Sequence, residues 1–213
     1  MKIKLDVSLG NKDFESIIRK YHFRTIDFDD LKALYRAIFP LIDSYAYYNY
    51  NFADPEIDYA EYVSCFITLG NSVDKIQTVY MDKELIMESY MIDCLASELL
   101  VKAYKQFVKY IEENSGKFVL KLDFLGDKYP VEMVSKLYEQ DKPENISYNS
   151  CYQLSPSKTV TILLPLSEHK PENNVCNTCY LCKNMNCTIR ENPSVNQKAK
   201  QNPTYGNMAI FGL

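Results

Sequence analysis

Four of the seven cysteines lie within twelve residues of one another, at Cys176, Cys179, Cys182 and Cys187. Their spacing is C-x2-C-x2-C-x4-C. A two-residue gap lets consecutive thiolates turn toward a common centre, as a tetrahedral or cubane metal site requires. The spacing therefore predicts a metal centre, and the alternative is a set of free or partly oxidised thiols.

The spacing leaves the identity of the metal open between an iron-sulfur cluster and zinc. A zinc ribbon usually has two C-x2-C knuckles separated by a dozen or more residues, whereas this cluster is more compact. Successive two-residue gaps resemble the loops of bacterial ferredoxins, although here the last gap is longer and Thr188 replaces the proline that follows the fourth cysteine there. We expect an iron-sulfur cluster, with zinc as the alternative.

The composition excludes several classes of protein. The net charge of -4, with no long run of lysine and arginine, predicts no nucleic-acid partner. No stretch approaches the roughly 18 apolar residues of a membrane span, and the N-terminal residues lack the apolar core of a signal peptide, so we expect a cytoplasmic protein. Phosphate-binding loops and the G-x-S-x-G motif are absent, and no catalytic residue is predicted.

The elements that must position any site follow from hydrophobic periodicity. Helical patterns cover 11–21, 27–38, 82–114 and 131–139. Asn11 and Asp27 are N-cap candidates, Gly116 closes the third helix after Ser115, and Pro130 opens the last helix. Strand patterns cover 2–8, 45–52, 62–69, 118–125, 148–154 and 158–165. The sequence therefore predicts an α+β domain over residues 1–166, with helices packed on a mostly antiparallel, twisted sheet.

The apolar pattern stops after Leu166. Residues 167–207 contain proline, asparagine, lysine and cysteine but almost no periodic apolar positions, so this segment cannot build a hydrophobic core of its own. We interpret residues 167–213 as a cysteine-rich, metal-binding tail whose order depends on the metal.

Several segments between about residues 20 and 190 resemble, in the same order, the activation-domain family of cobalamin-dependent methionine synthase. VSCFITLGNSVD (63–74) is similar to the family's strand that ends in a T-x-G turn with a following acidic residue. MIDCLASELLVKAYKQFVKYIEE (91–113) is similar to its next helix, and YQLSPSKTVTILLP (152–165) to its late strand pair. The spacing C-x2-C-x4-C-x2-R (179–190) is similar to the tail of stand-alone relatives.

The resemblance implies a domain that binds S-adenosylmethionine and presents it to an inactive corrinoid for reductive methylation. Its implied partners are a corrinoid protein or cobalamin-dependent methyltransferase and a separate electron donor. Glu98 would face the cationic end of the ligand, and the ring of Tyr152 would line the pocket. The full set of implied binding residues is Glu98, Gly126, Asp127, Tyr152, Ser157 and Lys158.

One loop departs from the family pattern. The segment LKLDFLGDKYPVE keeps Gly126, Asp127 and Pro130 but lacks the arginine and the Pro-Gly-Tyr of the family loop. Lys121 could replace the charge of that arginine but not its bidentate hydrogen bonding to a carboxylate. The departure predicts a retained fold with S-adenosylmethionine binding weakened or lost.

Two functions therefore stay open at the level of sequence. The first is an accessory protein that reactivates a cobalamin or corrinoid protein, in which the cysteine cluster relays an electron. The second is a non-catalytic interaction module with a structural zinc or iron-sulfur site and a degenerate ligand cleft.

The metal centre can be tested directly. Protein purified without oxygen is expected to contain iron and to absorb visible light, whereas stoichiometric zinc without iron would contradict the electron-relay role. Chelation is expected to unfold only the residues after about 167, because binding of the metal and folding of the tail would be one equilibrium.

Overall fold

The computed structural model describes residues 1–126 and 128–171, so Asp127 and the four clustered cysteines lie outside the described residues. The described chain forms five α-helices and eight β-strands. The helices are α1 (Asn11–Lys20), α2 (Phe28–Ile38), α3 (Ser72–Asp82), α4 (Ile86–Ser115) and α5 (Met133–Asp141). The strands are β1 (Lys2–Lys4), β2 (Tyr45–Asp54), β3 (Ile57–Thr68), β4 (Phe118–Val119), β5 (Asp123–Phe124), β6 (Ser147–Tyr148), β7 (Leu154–Ser155) and β8 (Thr159–Ser167).

One antiparallel sheet organises the domain. Its strands lie in the order β1, β2, β3, β8 and β4, and β5 also pairs with β8. The long strands are rich in β-branched and aromatic residues, which fit a pleated, buried surface. Strands β6 and β7 form a separate hairpin. The predicted α+β fold, with helices on a mostly antiparallel sheet, is confirmed.

The sheet is covered on both faces, and β3 shows this most clearly. Val63, Cys65 and Ile67 pack into the larger core with residues of α1, α2, α3 and α4. Tyr62 and Phe66, at alternate positions, pack into a smaller core with residues of α5. Since successive side chains of a strand point to opposite faces, one strand contributes to two cores.

Helix α4 is the longest element that spans the larger core. At 30 residues it is about 45 Å long by the helical rise. Gly116 follows it at φ +69°, a left-handed conformation that glycine adopts at helix ends, as the sequence predicted. Among the described helices, none combines the length and apolar character that crossing a bilayer requires.

The structure corrects the predicted boundaries of several elements. The helical pattern at 82–114 belongs to α4, and α3 precedes it as a separate helix that the sequence did not indicate. Helix α3 fully buries only Val73, so it lacks the apolar stripe by which an amphipathic helix is recognised. The predicted strand 118–125 is divided into β4 and β5, which pair with different parts of β8.

The predicted start was wrong for α1 and α5, whereas Asp27 does occupy the N-cap position of α2 but makes no side-chain capping bond. Gly10 precedes α1, so Asn11 is its first residue rather than its cap. The Asp27 carboxylate accepts a hydrogen bond from the Arg24 backbone N–H at 2.9 Å instead of capping α2. Helix α5 begins at Met133, three residues after Pro130. For Asp27, the Arg24 N–H thus takes the place of a helix amide as the donor to the carboxylate.

A buried carboxylate lies between α5 and the sheet. Asp141 Oδ1 accepts hydrogen bonds from Asn49 Nδ2 at 2.8 Å and Ser64 Oγ at 2.9 Å. Its other oxygen, Oδ2, is buried without a hydrogen-bond partner. Burial is the main cause that raises the pKa of Asp141 to about 6 from an ordinary 3.8, against the two hydrogen bonds. Compared with the unfolded chain, the folded state therefore holds the Asp141 proton up to a higher pH.

This carboxylate should make the stability of the domain fall as pH rises from about 4 to about 6. The folded protein holds the Asp141 proton more tightly than the unfolded chain, so the stabilisation is fully present below pH 4 and lost above the folded pKa. At about 1.4 kcal/mol per pKa unit, the loss is roughly 3 kcal/mol. Chemical denaturation across this pH range is expected to show a flatter profile for Asp141→Asn.

Asp58→Asn provides the matched control, because the Asp58 side chain is 78% exposed. Its pH profile is expected to follow that of the unchanged protein. Identical profiles for all three proteins would contradict the assignment of this pH dependence to Asp141.

Candidate functional site

The turn between β6 and β7 is held by one asparagine side chain. Asn149 Oδ1 accepts hydrogen bonds from the backbone N–H groups of Cys151 at 2.9 Å and Gln153 at 3.0 Å, as in an Asx-turn. The turn puts Tyr152 at φ +61°, which is uncommon for a residue other than glycine. Its ring stacks on Tyr148 with centroids 6.0 Å apart. The hairpin therefore presents two tyrosine rings in a defined arrangement.

Two recesses adjoin β7 and share Gln153, Leu154 and Ser157 as lining residues. The first, called here the α3-side recess, has a volume of about 320 Å³. It is lined by Asp74, Ser147, Tyr148, Asn149, Gln153, Leu154, Ser155 and Ser157. The second, the α5-side recess, has a volume of about 280 Å³. It is lined by Phe124, Leu125, Val131, Val134, Tyr152, Gln153, Leu154, Ser157, Thr159, Val160 and Thr161.

The wall of the α3-side recess is closed by a clamp between two distant segments. The backbone N–H of Ser157 donates to Asp74 Oδ2 at 2.9 Å, and the Ser157 hydroxyl donates to Asp74 Oδ1. Each carboxylate oxygen can accept a further hydrogen bond. Asp74 thus fixes the segment after β7 while keeping acceptor capacity toward the recess.

The end of β3 brings these two segments together. The Thr159 hydroxyl donates to Thr68 Oγ1 at 2.9 Å, and Thr68 Oγ1 also accepts the Gly70 N–H at 3.1 Å. Gly70 has φ +79°, and a Cβ there would lie 3.2 Å from the Asp43 carbonyl oxygen. Only glycine meets both constraints without strain. This turn therefore directs the chain from β3 into α3 and places Asp74.

Lys158 is not among the described lining residues of either recess, and it contacts α4. Its Nζ lies 2.8 Å from Asp93 Oδ1 and donates to Ser97 Oγ at 3.0 Å. Gln77 Nε2 donates to the same Asp93 oxygen at 3.1 Å. The Lys158 side chain is 12% exposed, and its ammonium group joins the residue before β8 to α4.

Glu98 also forms internal contacts. Its Oε1 accepts hydrogen bonds from Lys20 Nζ at 2.8 Å and from the Tyr21 hydroxyl at 2.9 Å. Burial is the largest cause of the raised pKa of Tyr21, and the charge of Glu98 adds to it, so the phenol stays a donor. Glu98 lines neither recess and joins α4 to α1.

The structure brings together part of the predicted binding set. Tyr152 and Ser157 line the same α5-side recess, while the side chains of Glu98 and Lys158 are used between elements. Gly126 adopts φ +92° and its N–H donates to the Tyr129 carbonyl at 2.7 Å, so it forms a turn directly after Leu125, which lines that recess. Asp127, Cys176, Cys179, Cys182 and Cys187 lie outside the described residues, and their roles stay predictions.

Sequence reasoning missed most of the polar residues of the α3-side recess. Ser147, Asn149, Gln153 and Ser155 carry no motif, because their position depends on how the hairpin folds back. In the sequence, Asp74 is distinguished only as the acidic residue after the T-x-G turn. The one local signal was the asparagine four residues before Gln153, a spacing that suits an Asx-turn.

The two buried cysteines and the metal-ligating side chains of the described residues form no further candidate site. Burial raises the pKa of the Cys65 thiol well above its usual value and that of Cys94 to about 11, so both are poor nucleophiles. Among the residues the structure describes, no group of three or more histidine, cysteine, aspartate or glutamate side chains is arranged to hold a metal ion.

Comparison with known proteins shows the fold relationship. No protein-family model matches the chain, and no curated protein matches it. Among solved structures, it is similar to the crystal structure of the MetH reactivation domain bound to AdoHcy. The sequence identity is 7% and the TM-score 0.50, over 82% of this chain and 79% of that chain. The fold that the sequence resemblance implied is thereby confirmed.

The internal role of Glu98 predicts a loss of stability in Glu98→Gln. The side chains of Lys20 and Glu98 are only 17% and 16% exposed. Once the charge of Glu98 is removed, water can therefore solvate the Lys20 ammonium group only in part. We expect the free energy of unfolding to fall by about 1–3 kcal/mol. Glu113→Gln on the same helix, where the side chain is 62% exposed, should change it by less than about 0.5 kcal/mol. Equal losses in the two variants, measured by urea denaturation, would contradict this role.

Proposed function

We propose that this chain is an accessory domain that acts with a corrinoid protein in its reactivation. The observation that carries the proposal is the likeness of fold to the MetH reactivation domain over 82% of the chain. The sequence resemblance described above supports the proposal independently of the fold. It depends on segments around β3, α4 and β8 that follow one another in the same order as in the family. The partner we propose is a corrinoid protein or cobalamin-dependent methyltransferase.

We further propose that the recesses beside β7 receive an adenosyl ligand. The solved neighbour was crystallised with AdoHcy, and the hairpin offers the groups that a nucleoside needs. Tyr148 and Tyr152 present aromatic rings, which stack on heterocycles. Ser155, Ser157 and Asn149 offer hydroxyl and amide groups for hydrogen bonds to a sugar.

In this function the protein contributes binding and orientation. Reductive methylation of a corrinoid requires a methyl donor and one electron from an external donor. Among the described residues, Tyr152 and Ser157 would hold the ligand beside β7, and Glu98 and Lys158 would keep α4 in place behind it. The cysteine cluster is proposed either to relay the electron or to fold the tail.

A second candidate is a non-catalytic interaction module, and an exposed apolar surface favours it. Large side chains that are exposed follow one another along the end of α3, the α3–α4 turn and the first turn of α4. They are Val79, Met81, Leu85, Ile86 and Met87. Exposed apolar patches mark interaction sites, and methionine adapts to varied partners. Such a surface would serve a partner in either function.

Complex formation tests the proposed partner. The full chain, mixed without oxygen with each purified, cobalamin-loaded corrinoid protein of the source organism, should co-elute with one of them and change its visible spectrum. A stable complex with a changed corrinoid spectrum supports reactivation, because the chain then reaches the corrinoid itself. A complex without any spectral change supports the interaction module instead.

The exposed surface supplies a matched pair of variants for the same experiment. Met87→Lys should weaken the complex about tenfold if this surface contacts the partner, whereas Lys83→Gln in the adjacent turn should change affinity less than twofold. Absence of a complex with every corrinoid protein tested would contradict the proposed function.

A further inference from the structure

The exposed apolar side chains at the connection between α3 and α4 form one surface, called here the α3–α4 surface. Every residue from 81 to 87 is exposed. The exposed Tyr90 ring lies one turn further along α4 and contacts the Phe23 ring with centroids 5.6 Å apart. The members of the surface are Val79, Met81, Leu85, Ile86, Met87 and Tyr90. Large apolar side chains gathered in this way mark a site of protein contact.

The backbone beneath this surface is held by two hydrogen bonds. The Leu85 N–H donates to the Tyr80 carbonyl at 3.0 Å, and the Glu84 N–H donates to the Met81 carbonyl at 2.9 Å. This pair of bonds is the Schellman motif, which closes the C-terminal end of a helix. Because the turn is already hydrogen-bonded, a partner can bind its side chains without first ordering the backbone.

Glu84 occupies the position of that motif at which glycine is usual. Its φ is +58°, in the left-handed region, where a residue with a Cβ is strained and glycine is not. The Glu84 side chain is exposed, and it belongs to no ion pair among the described residues. No internal ion pair therefore offsets the strain, and strain of this kind points to a use at the surface.

Acidic side chains lie among the apolar members of the α3–α4 surface. Asp82 and Glu84 are exposed and Glu88 is half-buried, against a single lysine, Lys83. Within the part of the chain that the structure describes, no ion pair includes any of these four residues. The surface therefore carries an excess of unpaired negative charge, and a complementary partner is positively charged there.

We propose that the α3–α4 surface binds an amphipathic helix of a partner protein, whose apolar stripe is bordered by lysine or arginine. The stripe covers Ile86 and Met87, and the cations pair with Asp82 and Glu84. An apolar helix face laid against an apolar surface is a recurring mode of recognition, and methionine side chains adapt to such a partner. The inference goes beyond the proposed function, because it names the chemistry of the contacting segment and requires no corrinoid.

The acidic side chains argue against two other occupants. A second copy of this chain, paired about a two-fold axis, would bring two surfaces of the same negative charge together. An anionic lipid membrane attracts lysine and arginine, so it would be repelled here. A basic, amphipathic protein segment satisfies both the apolar and the charged groups of the surface.

Two synthetic helical peptides test the proposal on the full chain. Both are about 18 residues long and carry the same leucine stripe, which lysine borders in one peptide and glutamate in the other. Fluorescence anisotropy is expected to show about tenfold tighter binding of the lysine peptide at low salt, with a smaller difference at high salt. Equal affinities for the two peptides, or no binding of the lysine peptide, would overturn the proposal.

Charge variants locate the contact. Glu84→Gln should weaken binding of the lysine peptide about threefold, and Lys83→Glu should strengthen it by a similar factor. Glu139→Gln makes the same change of charge on α5, which packs on the opposite face of the sheet, and should leave the affinity unchanged. If Glu84→Gln and Glu139→Gln have equal effects, the peptide responds only to net charge and the proposal fails.

Glu84→Gly separates binding from folding. Because glycine relieves the left-handed strain, the melting temperature should equal or exceed that of the unchanged protein. The affinity for the lysine peptide should nevertheless fall about threefold, as in Glu84→Gln. Full affinity in Glu84→Gly would contradict the role of this carboxylate and, with it, the proposed occupant.

The other occupants give different results. A chain that sediments as a dimer, and as a monomer after Met87→Lys, would show that a second copy covers the surface and would refute the proposal. Tighter binding to phosphatidylserine vesicles than to the lysine peptide would refute it as well. A chain that binds the lysine peptide but forms no complex with any corrinoid protein would contradict the proposed function and leave this inference standing.

Discussion

Burial of β3 on both faces is the constraint on which the rest of the structure depends. From Tyr62 to Thr68 every residue is buried, so the strand requires packed layers above and below it. The apolar positions meet the helices of the larger core and α5. The polar positions must find internal partners, because an unpaired polar group in such a place costs about 1–3 kcal/mol. The Ser64 hydroxyl donates a hydrogen bond to Asp141, and Thr68 accepts one from the Thr159 hydroxyl.

The candidate site follows from the second of these pairings. Thr68 and Thr159 lie opposite each other at the end of β3 and the start of β8, and Gly70 then turns the chain into α3. Asp74 and Ser157 meet as a consequence, and their contact closes the wall of the α3-side recess. A site made in this way depends on sheet register, since a shift of one residue would turn each side chain to the opposite face.

Two charged residues join helix α4 to other parts of the domain. Glu98 connects α4 to α1, and Lys158, the residue before β8, contacts α4. Both belonged to the implied ligand set, and both would have been plausible partners for the charged ends of an adenosyl amino acid. With these groups engaged, the described recesses offer rings, hydroxyls and one carboxylate.

The sequence by itself determined the α+β class, the existence of the three long strands β2, β3 and β8, and the end of α4 at Gly116. These features depend on periodicity and on one residue's backbone freedom, both of which are local. It also located the cysteine cluster, whose metal is still a prediction. Only the tertiary structure decided the course of α3, the turn at 149–153 and the partners of Glu98 and Lys158. Each of these depends on which distant residue lies opposite, and spacing along the chain does not encode that choice.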